Sequence, residues 1–309
     1  MSKPRIGISA CLLGKKVRHD GGDKRNGWII DSLGPFVDFV PLCPEMEMGL
    51  GVPRKTLRLI GTTENPQLIV NGTEENITQH ASNTTEKIFA IDYNLDSFIL
   101  KKDSPSCGLE RVKIYDKNNC PSRSATGIFA NILKKKFPLM PMIEEGRLSD
   151  VKQRELYVVK LFAYAQLRKL ELSVHALQLF HQHYKYLLMA YAPSCYSKLG
   201  NIAANSAKKD LIQVFAEYHK LFAQIMAYTP SRKQWTNVLR HMLGYFKTVL
   251  NASEKQQLLG TIEEYRRSEL PLIAALTLFK HLAEKHSITY LKEQALYEPY
   301  PKELKNLEN

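Results

Sequence analysis

Three short stretches place a cysteine where an apolar run gives out: SACLLGKKVRHDGG around Cys11, LCPEMEMGLGVPR around Cys43 and DSPSCG around Cys107. Cys11 and Cys43 directly follow RIGISA (5–10) and VDFVPL (37–42), and Cys107 follows SFILK (97–101) by a short loop. If these runs are strands of one parallel sheet, their carboxyl ends share an edge, and ligands bind outside that edge. Three thiolates gathered there suit a soft metal centre. A structural zinc site usually takes four protein ligands in close-spaced pairs, and the chain has no C-x2-C. Three thiolates with no fourth partner fit a [4Fe–4S] cluster with one open iron, a Lewis acid able to take a substrate atom. The spacing also leaves open a zinc ion with water in its fourth position, and three buried thiols at tight turns.

The neighbours add candidates. Glu45, two residues past Cys43, is placed to move a proton at the mouth of the sheet, or else to serve as an acidic first-turn charge behind Pro44. Gly14, Gly21 and Gly22 permit tight turns near a ligand. Arg18 and Asp20 can pair with each other or touch a substrate. Ser104 and Ser106 bring hydroxyls beside Cys107, with turn capping as the alternative use. Cys120 and Cys195 have no such position, and no role is assigned to them. Five cysteines in all, odd in number and widely spread, do not make a disulfide framework.

The elements that must hold these residues alternate in the first half. RIGISA, VDFVPL and SFILK read as buried strands, LRLIG and QLIVNG as a short pair, and LMPMIEE (139–145) as a late strand. Residues 77–93 and 126–137 read as helices. Strand–helix alternation predicts a Rossmann-like α/β domain with a mostly parallel sheet over residues 1–148. Beyond it the text is periodic at 3.6, starting with VKQRELYVVKLFAYAQLRKL behind the caps Ser149 and Asp150. Breaks at Pro193, Gly200, Pro230, Asn251 and Pro271 divide an all-α domain of six to eight helices over 149–309.

Of 309 residues, 43 are Lys or Arg and 31 Asp or Glu, a net charge of +12. Residues 1–150 hold 21 basic against 18 acidic groups, and residues 151–309 hold 22 against 13. The helical half is therefore the strongly basic one, with nucleic acid as its first candidate partner. Its cations are mixed with aromatics in YKY (184–186), SRKQW (231–235), LRHMLGYFK (239–247) and YRR (265–267), and KK stands at 208–209. His181 and His183 of HQH lie about 200° apart on a helix, so one metal cannot easily hold both. No run of about 18 apolar residues marks a membrane helix, and the N-terminus lacks the apolar stretch of a signal peptide. The cytosol is the expected compartment, with no membrane and no protein partner predicted.

SACLLGKKVRHDGG, CPEMEMGLGVPR and DSPSCG, in this order across residues 9–108, resemble the thiouracil desulfidase (TudS) family. YKYLLMAYAPSCYSKLGNIAAN (184–205) and ITYLKEQALYEPYPKEL (288–304) resemble the helical domain of unknown function often fused behind it. The two-domain arrangement is similar to the RudS branch, which acts on 4-thiouridine in tRNA. The resemblance implies a [4Fe–4S] cluster on Cys11, Cys43 and Cys107 with one open iron for the substrate sulfur, and catalytic roles for Glu45 and Ser104. It implies hydrolytic desulfidation of 4-thiouridine in tRNA with release of hydrogen sulfide and no electron transfer. Arg18, Asp20 and Ser106 are candidate substrate contacts. A free thiouracil-type base is the alternative substrate, and an RNA-binding iron–sulfur sensor without turnover the alternative role. His19 stands where the family usually has tyrosine, and Tyr191 where the helical domain usually has histidine.

Overall fold

The computed structural model describes residues 3–208 and 210–305. Lys209, half of the KK pair at 208–209, lies outside the described residues. The chain divides into two compact units, residues 1–165 with 301–309, and residues 166–300.

The first unit holds nine strands: β1 Arg5–Ser9, β2 Asp38–Leu42, β3 Leu57–Gly61, β4 Pro66–Val70, β5 Glu75–Asn76, β6 Ser97–Leu100, β7 Val112–Tyr115, β8 Pro121–Ala125 and β9 Met142–Glu144. They form two sheets. The first is parallel throughout, in the order β2-β1-β6-β9. The expected strands therefore sit side by side with their carboxyl ends along one edge. Its inner strands read as near-continuous apolar text because both faces are covered. Ile6, Ile8, Phe98, Ile99 and Leu100 are wholly buried. Gly7 is required by packing: a Cβ there would stand 2.4 Å from the Phe98 ring of the adjacent strand.

The second sheet, β5-β4-β3-β7-β8, combines two antiparallel hairpins whose inner strands β3 and β7 run parallel. The β3–β4 hairpin is the expected short pair. Strands β7 and β8 are not expected from the sequence, and Cys120 stands in the turn between them.

Among the described residues, the α-helices of this unit are α1 Pro44–Glu47, α2 Thr78–Ile88, α3 Ile128–Lys136 and α4 Val151–Arg168, of which the last runs into the second unit. Phe89, Phe98, Phe129 and Leu133 form the core between the parallel sheet and the helices. Helix α4 is capped by Asp150, whose Oδ1 accepts the Gln153 N–H at 2.9 Å. It is tied to the sheet by Tyr157, whose hydroxyl lies 2.7 Å from the Ser97 Oγ, and by Arg154, stacked 5.2 Å from the Trp28 ring centre.

The second unit is helical, as its period predicts: α5 Val174–Tyr191, α6 Pro193–Ala204, α7 Leu211–Ala227, α8 Arg232–Leu243, α9 Ala252–Arg266, α10 Leu272–Lys285 and the short α11 Thr289–Lys292. Ser231 with Gln234, and Asn251 with Glu254, form capping boxes that start α8 and α9. Phe180, Tyr184, Tyr218 and Phe222 stack in the core. Among the described residues no helix is long and apolar enough to cross a membrane.

Candidate active site

The carboxyl edge of the parallel sheet opens on a cavity of about 410 Å3. Cys11, Cys43 and Cys107 all line it, with Arg18, Glu45 and Ser104 among the residues expected from the sequence, and His19 beside them. Cys11 is in a tight turn, Ala10–Leu13, that leaves β1 and closes on Gly14 at φ +84°. Cys43 leaves β2 in an extended conformation and heads α1. Its carbonyl accepts the Met46 and Glu47 N–H groups, both at 3.1 Å.

Cys107 is held from behind by α3. The N–H groups of Gly127, Ile128 and Ala130 donate to the carbonyls of Gly108, Pro105 and Ser106 at 2.8, 3.1 and 3.2 Å. From the front, the Ser104 Oγ accepts the Ser106 and Cys107 N–H groups at 3.2 and 3.0 Å. The helix start and the serine leave the loop one conformation.

The thiols sense one another. Burial pushes the Cys11 thiol up to about 11, and the charge of Cys43 adds to the effect. Burial likewise raises Cys43, against the pull of the Met46 N–H. Cys107 is pushed far above the ordinary thiol range by burial first, then by the charges of Glu45, Cys43 and Cys11, while a hydrogen bond from Ser9 favours its thiolate. Such a group holds three thiolates readily only with a cation among them.

Thiolates on one zinc stand about 3.8 Å apart, given a bond of about 2.3 Å and a tetrahedral angle. Among the described residues, no three His, Cys, Asp or Glu side chains converge tightly enough to hold one ion. Three thiols set around a shared cavity fit a polynuclear centre, whose thiolates are spread over several metal atoms.

Glu45 is the best-anchored group at the mouth. Its Oε2 takes both the Nε, at 3.1 Å, and an η nitrogen of Arg54, and its Oε1 accepts the Ser106 hydroxyl at 3.0 Å. The ion pair is largely buried, with 6% of the Arg54 and 17% of the Glu45 side chain exposed. Arg54 also donates to the carbonyls of Gly51 and Val17 at 2.9 and 3.0 Å. It thus ties the Cys43 motif to the loop after Cys11. The sequence assigns no role to Arg54, although it closes the CPEMEMGLGVPR motif.

A second charged pair is also absent from the sequence expectations. Lys101, just past β6, lines the cavity and meets Glu145, just past β9, at 2.5 Å. Ser9, at the end of β1, accepts the Lys101 N–H at 3.0 Å and leaves its own proton for Cys107. Their shared position at strand ends is the signal that finds all three.

Arg18 and Asp20 pair with each other at 3.5 Å. Arg18 lines the cavity, whereas Asp20 is half exposed, does not line it, and accepts the Gly22 N–H at 3.0 Å. Cys120 and Cys195 do not line the cavity. His181 and His183 point apart, as the helical angle requires: the His181 Nδ1 is 3.0 Å from the Tyr218 hydroxyl, and the His183 Nε2 is 3.6 Å from Glu293.

The chain resembles known proteins over each of its halves. Residues 6–145 match the model of a family described as 2-thiouracil desulfurase, and residues 185–301 match a family described only as a protein of unknown function, DUF1722. The chain is 30% identical over 149 residues to the uncharacterised protein YbgA of Escherichia coli strain K12, which matches 47% of this chain and 88% of YbgA, and it belongs to the YbgA family. It is 28% identical over 157 residues to the uncharacterised protein YbbK of Bacillus subtilis strain 168, 47% of this chain and 97% of YbbK. A solved structure of a [4Fe–4S]-dependent thiouracil desulfidase, TudS, is 27% identical, covers 48% of this chain and 95% of its own, and superposes with a TM-score of 0.40. Each relative spans about half of the chain.

Proposed function

We propose that the chain removes sulfur from a thiolated uracil, replacing the thiocarbonyl by a carbonyl with water consumed and hydrogen sulfide released, and that its substrate is 4-thiouridine in tRNA. The observation that carries the reading is the convergence of three cysteine thiols and one clamped glutamate on a single cavity at the carboxyl edge of the sheet. Cys11, Cys43 and Cys107 would hold a [4Fe–4S] cluster. When bound, the cluster supplies a soft open iron that polarises a thiocarbonyl and improves sulfur as a leaving group.

The chain's own residues do the rest. Arg54 and Ser106 fix the Glu45 carboxylate from two sides, so the carboxylate that lines the cavity is set in place without reorganisation. From there it can take a proton from an attacking water or return one to the leaving sulfur. Such a group contributes on the order of 10²–10⁴-fold. Ser104, lining the cavity, is the second catalytic candidate. Its oxygen accepts the two N–H groups of the loop while its own proton is available for the substrate. Arg18 and His19 flank the opening and are placed to orient the ring. About 410 Å3 suits a nucleobase with its immediate surroundings.

The tRNA reading is supported by the basic helical half and by the resemblance of the two-domain arrangement. A base in folded RNA must be extruded to reach a recessed site. A second reading, turnover of free thiouracil-type bases, is favoured by the family description. The deciding experiment reconstitutes the protein without oxygen and offers bulk tRNA containing 4-thiouridine or free 2-thiouracil. Loss of the 4-thiouridine absorbance with matching sulfide, abolished by Cys107→Ala, supports the proposal. Turnover of the free base alone supports the second reading. An intact cluster with turnover of neither substrate overturns both and leaves a sensor.

A further inference from the structure

The helical half contains a feature that the desulfidation chemistry does not use. Between α8 and α9 the chain makes a tight turn, Gly244–Phe246, within the basic-aromatic stretch LRHMLGYFK. On one side of this turn is a cavity of about 450 Å3 lined by Arg240, His241, Lys247 and Lys255 over an apolar floor that includes Leu243 and Phe246. No carboxylate lines it. Of the nearby carboxylates, Glu254 is engaged away from the cavity and Glu263 holds one of its cations, Arg240. Glu254 meets Lys285 at 2.6 Å and His286 at 3.4 Å, and Glu263 takes Arg266 at 2.6 Å and Arg240 at 2.8 Å. Among the described residues, Lys247 and Lys255 have no ion-pair partner.

The same turn carries Tyr245. Its ring stacks on Tyr290 at 5.1 Å and 6°, and meets Tyr186 edge-on at 6.4 Å. The Lys185 ammonium lies 5.1, 5.8 and 5.4 Å from the ring centres of Tyr186, Tyr245 and Tyr290, and donates to the Tyr245 hydroxyl at 3.4 Å. Tyr186 is buried, whereas Tyr245 keeps 39% of its surface exposed. An aromatic ring immobilised from beneath and open above is an unusual use of surface for a soluble helical unit.

We propose that the Gly244–Phe246 turn binds one unpaired nucleotide of an RNA substrate, with a phosphate in the cavity and the base stacked on Tyr245. The inference rests on the tRNA reading above and names the surface that would recognise the RNA. Cations with unengaged charge draw phosphate, and aromatic faces take unstacked bases of any sequence. Sequence-tolerant recognition of loops and single-stranded regions uses this pair of features side by side. Lys185 adds positive charge beneath the platform, which favours the electron-rich face of a base.

The test is binding of unmodified, fluorescently labelled transcript tRNA to the full-length protein, followed by anisotropy across a salt series. Lys247→Ala with Lys255→Ala should weaken binding and reduce the slope of log K against log salt by about 1.4, at roughly 0.7 for each lost single-strand phosphate contact. Tyr245→Ala should weaken binding about 5- to 150-fold, as expected for one lost stacked base, with the slope unchanged. Tyr245→Phe should retain wild-type affinity, which a merely structural loss of the hydroxyl contact would not. The lysines are exposed, so their variants remain informative even where Tyr245→Ala disturbs the fold. Wild-type affinity and slope in all variants would overturn the site and leave the tRNA reading standing. Absence of RNA binding by the unaltered protein, with free 2-thiouracil still turned over, would overturn both.

Discussion

Replacing Gly127 by alanine tests whether the Cys107 loop is positioned by α3. Gly127 sits at φ −62° and ψ 152°, a conformation alanine adopts without strain. Chain entropy alone would make the substitution stabilising by about 0.4–1 kcal/mol. The space around it reverses the sign. A Cβ there would stand 2.4 Å from the Ser106 carbonyl oxygen, 2.6 Å from its carbon and 3.0 Å from the Pro105 oxygen. These are backbone atoms with no rotamer to escape into. Reaching 3.0 Å from the nearest requires a shift of 0.6 Å, and reaching 3.4 Å requires 1.0 Å. The shift must be taken by the loop around Cys107, including Ser106, which holds Glu45. A misplacement of about 1 Å costs on the order of 10²-fold in turnover. The assay is iron and labile sulfide per chain after anaerobic reconstitution, followed by rates on 2-thiouracil. A loss of kcat on the order of 100-fold with an unchanged far-UV spectrum is expected. Gly260→Ala is the matched control, since nothing lies within 4 Å of a Cβ there. Wild-type rate and iron content in Gly127→Ala would refute the reasoning, because no accommodation that leaves the loop in place is available.

Arg54→Met leaves Glu45 mostly buried without its cation and should destabilise the first unit by about 3–5 kcal/mol in urea titration. Arg54→Lys should recover only part of this, because an ammonium cannot reproduce the forked contact. Ser104→Ala removes both the acceptor of two loop N–H groups and a hydroxyl that lines the cavity, and should lower cluster retention and kcat together, whereas Ser106→Ala should lower kcat with iron content intact. A Ser104→Ala protein with wild-type kcat per bound cluster would confine Ser104 to holding the loop. A fragment ending at residue 148 should melt below one ending at 165, because it lacks the Tyr157 hydroxyl on Ser97 and the Arg154 stack on Trp28; equal melting temperatures would remove α4 from the first unit's core. Burial holds the folded His181 down to about 4, whereas the unfolded residue titrates near 6.5. The unfolded chain therefore binds the proton first, and stability conferred above pH 6.5 is lost as pH falls towards 4, by about 3 kcal/mol at the foot of that window. His181→Gln should flatten this part of the stability profile measured by denaturant titration.

The cysteines were legible because their placement depends only on strands ending, not on how the sheet is ordered. Any arrangement of parallel β1, β2 and β6 brings their carboxyl ends to one edge, so Cys11, Cys43 and Cys107 meet whichever strand lies in the middle. The charged groups around them depend on order and register, which single-sequence text does not encode. Lys101 meets Glu145 only because β9 is the outer neighbour of β6, with Leu100 opposite Glu144. Arg54 reaches Glu45 through a loop that turns at Gly49 and Gly51, both at positive φ. Ser104 and Ser106 are two residues apart and chemically alike. Only the twist of the loop, set by α3 behind it, turns one hydroxyl onto the backbone and the other onto Glu45. Strands β7 and β8 were hidden for a related reason. PSRSA is exposed at four of its five positions and lies at a sheet edge with little to bury, so no alternation marks it.

Arg54 links these observations into one dependence. It joins Glu45 to the Val17 carbonyl of the Cys11 segment, its own N–H donates to the His19 carbonyl at 2.9 Å, and Glu45 in turn holds Ser106 beside Cys107. All three thiol-bearing segments are therefore connected through one ion pair that involves none of the sulfurs. A buried pair of this kind contributes little net stability against an apolar replacement, but it is expensive to half-remove. Its retention at the mouth of the cavity is better explained by position than by stability: it sets the carboxylate and the three cysteine loops in a fixed relation. The Arg54→Met with Glu45→Gln double variant separates the two explanations. If the pair serves position, the double variant should regain most of the stability lost in Arg54→Met, because no uncompensated charge remains, and yet stay inactive with impaired cluster retention. Recovery of cluster retention together with stability would show that the loops hold their relation without it, and that the carboxylate alone is what the site requires.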